Sequence, residues 1–389
     1  MSEKPWAGRH LLLLSGPMGT GHVQASLALE KYAAERYPEL KVSHINVADL
    51  MTPGLKIFFT DFYHFMLRHL SFIWLYMYHS SNVPPAHTPL FRKIMMKWRR
   101  TFEKRLMKRI AEYNPDYIIC THFLPAEIIG RAKSEQKINY FTSSVITDFS
   151  VHWVYIQTGL DLFFVANHDM SLIMHLRGID REKIYITGCP IFPDFSKSYS
   201  AEDKKRLRDE LGLPQDANLV MVMMGGENIG RVAAITRTLL DSFPAVSVLA
   251  MTGKDNKLYQ QIEQMKPKYP GRVFPVSFTT RVNDYMAVSY LVVSKPGGIT
   301  ISECLAMKKP IIVMDPIRGH EEKNAAYLAT HGLAAFSETL TDLTLMDAEH
   351  GATWMQIVSN NHNIYDRRDA AGKILKVVIE WEGCSNNQH

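Results

Sequence analysis

The residues of this chain that could do chemistry stand at glycine-rich turns. The first turn is Ser15-Gly16-Pro17-Met18-Gly19-Thr20-Gly21-His22, which follows an apolar run and leads directly into a helical pattern. A tight glycine turn between strand and helix lets a ligand approach the backbone at the positive end of the helix. No G-K-[ST] follows, so this is not a P-loop; the spacing G-x-x-G-x-G, with Pro17 inside, is not a dinucleotide fingerprint either. His22 is expected to project from the start of the helix, whose positive end keeps the imidazole neutral. A neutral imidazole there can take the proton of an attacking hydroxyl. The plainer alternative is a histidine that only caps or packs.

A second turn is Met224-Gly225-Gly226-Glu227-Asn228, and a third is Ser294-Lys295-Pro296-Gly297-Gly298-Ile299-Thr300, ahead of a helix carrying Glu303. Two such turns at the ends of parallel strands form an anion cradle suited to a diphosphate. Glu303, one helical turn further on, is placed to bridge ribose hydroxyls. The loop Asp315-Pro316-Ile317-Arg318-Gly319-His320-Glu321-Glu322-Lys323-Asn324 offers several donors and acceptors together, as recognition of sugar hydroxyls requires. An ordinary sheet-to-helix connection is the alternative for the Gly225 turn, and a charged surface loop is the alternative for the last segment.

The elements that must position these residues alternate short apolar runs with amphipathic helices, the pattern of parallel α/β sheets. Strands are expected at His10–Ser15, Lys41–Val47, Tyr117–Thr121, Ser144–Thr147, Leu162–Ala166 and Ile184–Thr187. They recur at Leu219–Met224, Val246–Met251, Val273–Pro275, Leu291–Ser294 and Pro310–Met314. Between the two sets, Cys189-Pro-Ile-Phe-Pro-Asp-Phe and a polar stretch read as a linker. The expectation is two Rossmann-like domains, 1–195 and 196–366, facing across a cleft that holds the active site. The closing segment 367–381 reads as a helix that packs back onto the first domain.

Residues 50–112 break the alternation as a helical insertion. Within it Phe91, Met95, Trp98, Phe102, Leu106 and Ile110 fall on one helical stripe, and nine basic residues from Arg92 to Arg109 face a single acid, Glu103. A basic amphipathic helix of this kind suits an anionic membrane surface, through Trp98, Arg99, Arg100, Lys104 and Arg105. A core-facing stripe with a solvated basic face is the plainer reading, and a nucleic-acid face is the third. The apolar stretch Ile57–Tyr78 is interrupted by Asp61, His64, Arg68 and His69, so it does not read as a spanning helix. The N-terminal apolar run is too short for a secretory signal. Four scattered cysteines among 389 residues give no disulfide framework or zinc spacing, and the net charge of +5 fits acidic partners. A protein of the reducing cytosol, peripheral on the inner face of the cell membrane, is expected.

These motifs resemble the diacylglycerol glycosyltransferases of the GT-B fold, the bacterial processive diacylglycerol glucosyltransferases and plant monogalactosyldiacylglycerol synthases. The resemblance runs from Gly19-Thr20-Gly21-His22-Val23-Gln24 through Val145-Ile-Thr-Asp148-Phe149 and Ile186-Thr-Gly-Cys-Pro190 to Asn324, and Lys295-Pro-Gly-Gly-Ile-Thr with Glu303 is its most specific part. It implies inverting transfer of a hexose, glucose or galactose, from a UDP-sugar to diacylglycerol or glycosyldiacylglycerol. By position His22 resembles the general base, with Asp148 orienting it or the acceptor. Gly297, Gly298 and Thr300 look like the diphosphate-binding turn and Glu303 like the ribose carboxylate, while Gly21, Gly225, Gly226 and Lys295 are expected to join them in donor binding. His320, Glu321 and Asn324 fall near the donor sugar, His320 standing where the family has glutamine. The insertion coincides with the lipid-acceptor region. No D-x-D occurs, so neither metal nor other cofactor is expected and helix ends must neutralise the leaving UDP. Transfer of N-acetylglucosamine to a polyprenyl-linked acceptor, and a catalytically silent UDP or lipid sensor, remain as alternatives; no nucleic-acid partner is expected.

Overall fold

Leu11-Leu12-Leu13-Leu14 is apolar at every position, and a strand built from it needs cover on both faces, which parallel sheets flanked by helices provide. All four are fully buried, as are Ile118-Ile119-Cys120, Phe163-Phe164-Val165 and Val292-Val293. A computed structural model describes residues 6–381 apart from 18, 58–62, 84–89, 341, 343–356, 359 and 363–364. It divides into two compact units, Met1–Pro193 with Asp369–His389, and Asp194–Arg368.

The first unit holds β1 (His10–Ser15), β2 (Lys41–Asn46), β3 (Tyr117–Cys120), β4 (Phe141–Val145), β5 (Leu162–Val165) and β6 (Ile184–Ile186), ordered β2-β1-β3-β4-β5-β6. The second holds β7 (Asn218–Met223), β8 (Val246–Gly253), β9 (Val273–Ser277), β10 (Leu291–Ser294), β11 (Ile311–Met314) and β12 (Ala335–Ser337), ordered β12-β11-β10-β7-β8-β9. Both sheets are parallel, with registers such as Leu12 against Ser43 and Ile118, and Val222 against Ala250 and Val293. In each unit the first strand lies inside the sheet, so the chain moves outward on one side and then returns to the other. The order therefore reverses between β1 and β3, and between β7 and β10. Such reversals open a crevice beyond the carboxyl ends of the strands, where α/β sheets bind ligands.

Every expected strand is present, with two differences. The fourth begins at Phe141 rather than Ser144, because Thr142, Ser143 and Ser144 are buried polar strand residues. Two of the hydroxyls find internal partners: Thr142 Oγ1 donates to Asp161 Oδ2 at 3.0 Å and Ser143 Oγ to the Ile118 carbonyl at 3.4 Å, while Ser144 Oγ is buried without a partner among the described residues. The short edge strand β12 has no counterpart in the expectation. The C-terminal helix Ala370–Ile379 belongs to the first unit, where Ala371, Ile374, Leu375, Val378 and Ile379 share a core with Leu11, Leu13, Leu29 and Ala33.

The insertion forms helices Pro53–Ile57, Tyr63–His69, Ser71–Ser81 and Leu90–Tyr113. In the last of these Phe102, Leu106 and Ile110 are buried while Lys104, Arg105, Lys108 and Arg109 are exposed. This half of the stripe therefore faces the protein's own core, which corrects the expectation of an apolar face turned to lipid. The side chains of Trp98, Arg99 and Arg100 lie outside the described residues. Apolar exposure is found instead in the preceding helices, at Ile57 (56%), Phe72 (69%) and Tyr76 (73%). The helix Ser71–Ser81 is tied to the loop after β4: the Trp153 N–H donates to Asn82 Oδ1 at 3.0 Å, and His152 Nε2 lies 3.1 Å from the Tyr78 carbonyl. No helix of the described residues is long and apolar enough to cross a membrane.

A core role for the stripe has a measurable consequence. Leu106→Ala should cost about 2–5 kcal/mol in urea unfolding of the first unit. Neutralising Lys104 and Arg105 to glutamine should change stability by less than about 0.5 kcal/mol. Equal effects of the two changes would put the stripe on the surface.

Candidate active site

In the first unit the reversal lies between β1 and β3, and the loops leaving both strands meet there. The helix Gly21–Arg36 starts with Thr20 as N-cap, which makes no side-chain cap bond, so the first backbone amides are not blocked by their own cap. His22 is the second residue of this helix and is half-buried. Its Nδ1 lies 2.7 Å from the Thr121 carbonyl and 3.0 Å from Thr147 Oγ1. A carbonyl can only accept, so in the neutral form of the ring the proton sits on Nδ1 and Nε2 carries the lone pair. Thr121 also donates its hydroxyl to the His22 carbonyl at 2.8 Å and lies 3.0 Å from Ser26 Oγ, gripping the first turn of the helix.

His122 is fully buried beside this arrangement, its ring perpendicular to that of His22 with centroids 4.7 Å apart. Burial pushes its pKa well below the usual histidine value, so the ring is neutral. Asp148 follows Thr147 in the same loop and is half-buried. Its charge, after burial, helps push the Tyr155 hydroxyl upward. The sequence reading missed Thr121, His122 and Thr147. The available signal was their position at the carboxyl ends of the third and fourth strands.

In the second unit three turns cluster around the β7/β10 reversal. Ser294 Oγ donates to the Met223 carbonyl at 2.6 Å, pinning the two strand ends together. Gly225 and Gly226 are exposed, and Gly226 has φ +65°, which favours glycine. Arg231 grips Asp315 with two bonds, Nε to Oδ2 at 2.8 Å and Nη2 to Oδ1 at 3.2 Å, and Asn228 Nδ2 donates to the Asp315 carbonyl at 2.6 Å. The turn after β7 is thereby tied to the loop after β11.

The turn after β10 is tied to the same loop from the other side. Lys295 forms an ion pair with the buried Glu321, whose second oxygen accepts the Ile317 N–H at 2.9 Å. Asn324, also buried, donates Nδ2 to the Pro296 carbonyl at 3.1 Å. Lys295, Glu321 and Asn324 therefore hold the loops in place. The partly open residues are Gly297, Thr300, Glu303 and His320. The helix Gly298–Ala306 begins at Gly297 without a side-chain cap, presenting its positive end.

Glu303 keeps part of its side chain open yet sits in dense surroundings, and burial pushes its carboxyl up to about 8. Sequence reading also missed Phe278. It stands just beyond the carboxyl end of β9, 61% exposed, with Lys254 Nζ 4.9 Å from its ring centre. An exposed ring of this kind can stack a planar base.

Comparison with known proteins bears on both units. Residues 22–191 match the monogalactosyldiacylglycerol (MGDG) synthase model, and residues 231–344 match the glycosyltransferase family 28 C-terminal domain. Both stretches thus match models of glycosyltransferases, the first that of monogalactosyldiacylglycerol synthases. A processive diacylglycerol beta-glucosyltransferase of Bacillus cytotoxicus is 24% identical over 97% of this chain and 95% of its own. A probable chloroplastic monogalactosyldiacylglycerol synthase of Glycine max is 29% identical over 97% of this chain and 72% of its own. Among solved structures, the UDP-GlcNAc 2-epimerase of Neisseria meningitidis superposes with TM-score 0.59 at 12% identity, covering 95% of this chain and 99% of that one. MurG of Acinetobacter baumannii gives 0.57 at 12% identity over the same shares. These likenesses establish the GT-B fold for this chain.

The raised carboxyl of Glu303 gives a pH test with a definite sign. A carboxyl whose folded pKa exceeds its ordinary 4.5 favours folding below that value and loses the benefit as pH rises through about 8. Glu303→Gln, which cannot ionise, should lose less melting temperature than the unsubstituted protein between about pH 5 and about pH 9. Parallel melting curves for the two proteins would show that Glu303 is ionised throughout.

Proposed function

We propose that this chain is an inverting glycosyltransferase moving glucose or galactose from a UDP-sugar to diacylglycerol or glycosyldiacylglycerol at a membrane surface. The observation that carries the reading is the fixed tautomer of His22, whose Nδ1 is anchored on the Thr121 carbonyl beside a glycine turn. His22 Nε2 takes the proton of the acceptor hydroxyl as its oxygen attacks the anomeric carbon. The bond from that carbon to the diphosphate breaks on the opposite face, UDP departs with the bonding pair, and the configuration inverts.

The departing charge is met by the Gly225–Gly226 turn and the amides that open the helix Gly298–Ala306, fixed dipoles that need no rearrangement during the reaction. On this reading the step uses no divalent ion. Glu303 receives the ribose hydroxyls, Phe278 stacks the base, and His320 faces the sugar. Lys295, Glu321 and Asn324 act on the donor through the loops they hold. Asp148 orients the acceptor in the loop that carries Thr147.

The exposed Ile57, Phe72 and Tyr76, with the exposed cations Lys104, Arg105, Lys108 and Arg109, suit a surface of apolar chains and anionic headgroups. The enzyme is placed at the cytoplasmic face of the cell membrane on this reading.

The deciding measurement is UDP release with a panel of UDP-sugars, with and without diacylglycerol in anionic micelles. Lipid-dependent release with one hexose donor, unchanged by chelator, is expected. Under the same conditions His22→Ala should lose about 10²–10⁴-fold in turnover and keep its affinity for UDP. UDP binding without release from any donor would overturn the reading. For the surface, replacing Arg99, Arg100, Lys104 and Arg105 together with glutamine should weaken binding to anionic vesicles while leaving the melting temperature nearly unchanged. Undiminished vesicle binding would remove these cations from membrane contact.

A further inference from the structure

His122 has no part in the chemistry described so far, yet the site is built around its ring. It is the N-cap of the helix Phe123–Ser134, its Nδ1 accepting the Leu124 N–H at 3.1 Å. A nitrogen that accepts an N–H carries no proton, so the ring proton lies on Nε2. That Nε2 is buried and has no hydrogen-bond partner among the described residues. Burying a polar N–H without an acceptor is unfavourable, and a capping asparagine or serine at this point would not incur it. Capping alone therefore does not account for the histidine.

The ring is held from three sides. A methyl group on Gly16 would lie 2.1 Å from His122 Cγ, so the glycine loop closes directly on the imidazole. Phe123 flanks it with ring centres 4.3 Å apart and planes 31° apart. The third neighbour is His22, edge-to-face at 88°. Perpendicular ring packing at this separation is favourable and fixes orientation.

We propose that His122 is a positioning residue for His22: its immobile ring, wedged between Gly16 and Phe123, holds the His22 imidazole upright so that Nδ1 stays on the Thr121 carbonyl and Nε2 is presented to the acceptor. This rests on His22 being the base. Small errors in the placement of a catalytic group can cost about 10²-fold in rate.

Two substitutions separate this role from helix capping. His122→Asn keeps a side-chain oxygen for the Leu124 N–H but removes the ring, and His122→Phe keeps a ring but removes the cap acceptor. If the ring positions His22, His122→Asn should lose about 10–100-fold in kcat with the KM for UDP-sugar unchanged. His122→Phe should stay within about 3-fold. If the residue only caps the helix, the order reverses, and that result overturns the proposal.

¹⁵N NMR of the histidines gives a second readout independent of turnover. The unsubstituted protein should show His22 protonated at Nδ1, and His122→Asn should show a mixture of tautomers. An unchanged His22 signal in folded His122→Asn overturns the proposal, as does an Nε2-protonated His22 in the unsubstituted protein. Should the unsubstituted protein release no UDP, the transferase reading fails, while the NMR comparison still judges the coupling of the two rings.

Discussion

The arrangement depends on strands buried on both faces. Leu11 to Leu14 and Ile118 to Cys120 have no exposed surface, so the interior of the first sheet has no room for a polar site. Chemistry is confined to the loops beyond the carboxyl ends, and the reversal of strand order decides which loops separate enough to admit a ligand. In the first unit the reversal lies between β1 and β3, and the residues leaving those strands, His22 on one and Thr121 and His122 on the other, meet there. His22 owes its tautomer to that topology, because its acceptor is the carbonyl at the end of the neighbouring strand. Register in a two-sided apolar sheet is fixed by burial, so the position of Thr121 is inherited from the packing of Ile118 and Ile119.

In the second unit the same constraint leaves the charged residue of the Gly297 turn paired within the protein. Lys295, the charged residue in that turn, is paired with buried Glu321, and Arg231 is paired with Asp315. A free lysine would have to be ordered on the ligand each time, at a cost in side-chain entropy. Pairing it internally leaves the backbone amides of the Gly297 turn and the Gly225 turn as the positive groups, held in place beforehand. The buried pair is an expensive element if one partner is lost, since the remaining charge is then stranded. It therefore ties the fold of the β11 loop to the shape of the Gly297 turn.

Much of this was legible in the sequence, for reasons that also explain what was not. Continuous apolar runs marked nearly every strand, and each glycine turn was visible because strand, turn and helix follow one another along the chain. The fourth strand was displaced by three residues because Thr142, Ser143 and Ser144 are polar, and tertiary partners such as Asp161 for Thr142 are invisible along the chain. The strand Ala335–Ser337 is short and at an edge, with no apolar run to announce it. Thr121 and Thr147 were missed because they stand 99 and 125 residues from His22 and converge only through the sheet. Periodicity found the stripe of Phe102, Leu106 and Ile110 but cannot tell whether such a stripe faces a core or a membrane, and here it faces the core.

That correction sharpens the argument about the lipid. A transferase joining a water-soluble donor to a diacylglycerol needs an apolar surface near its base, since the acceptor hydroxyl stays close to the interface. The insertion leaves the first sheet after β2, from the same carboxyl edge on which His22 stands. Its helix Ser71–Ser81 is tied through Asn82 and Tyr78 to the loop that follows β4, the loop that also carries Thr147 to His22. The exposed Phe72 and Tyr76 are thus held by the same segment that contacts His22. On the proposed reading, binding a lipid surface and presenting the acceptor to His22 are linked through residues 147–153, so a change that loosens His152 from Tyr78 would act on both.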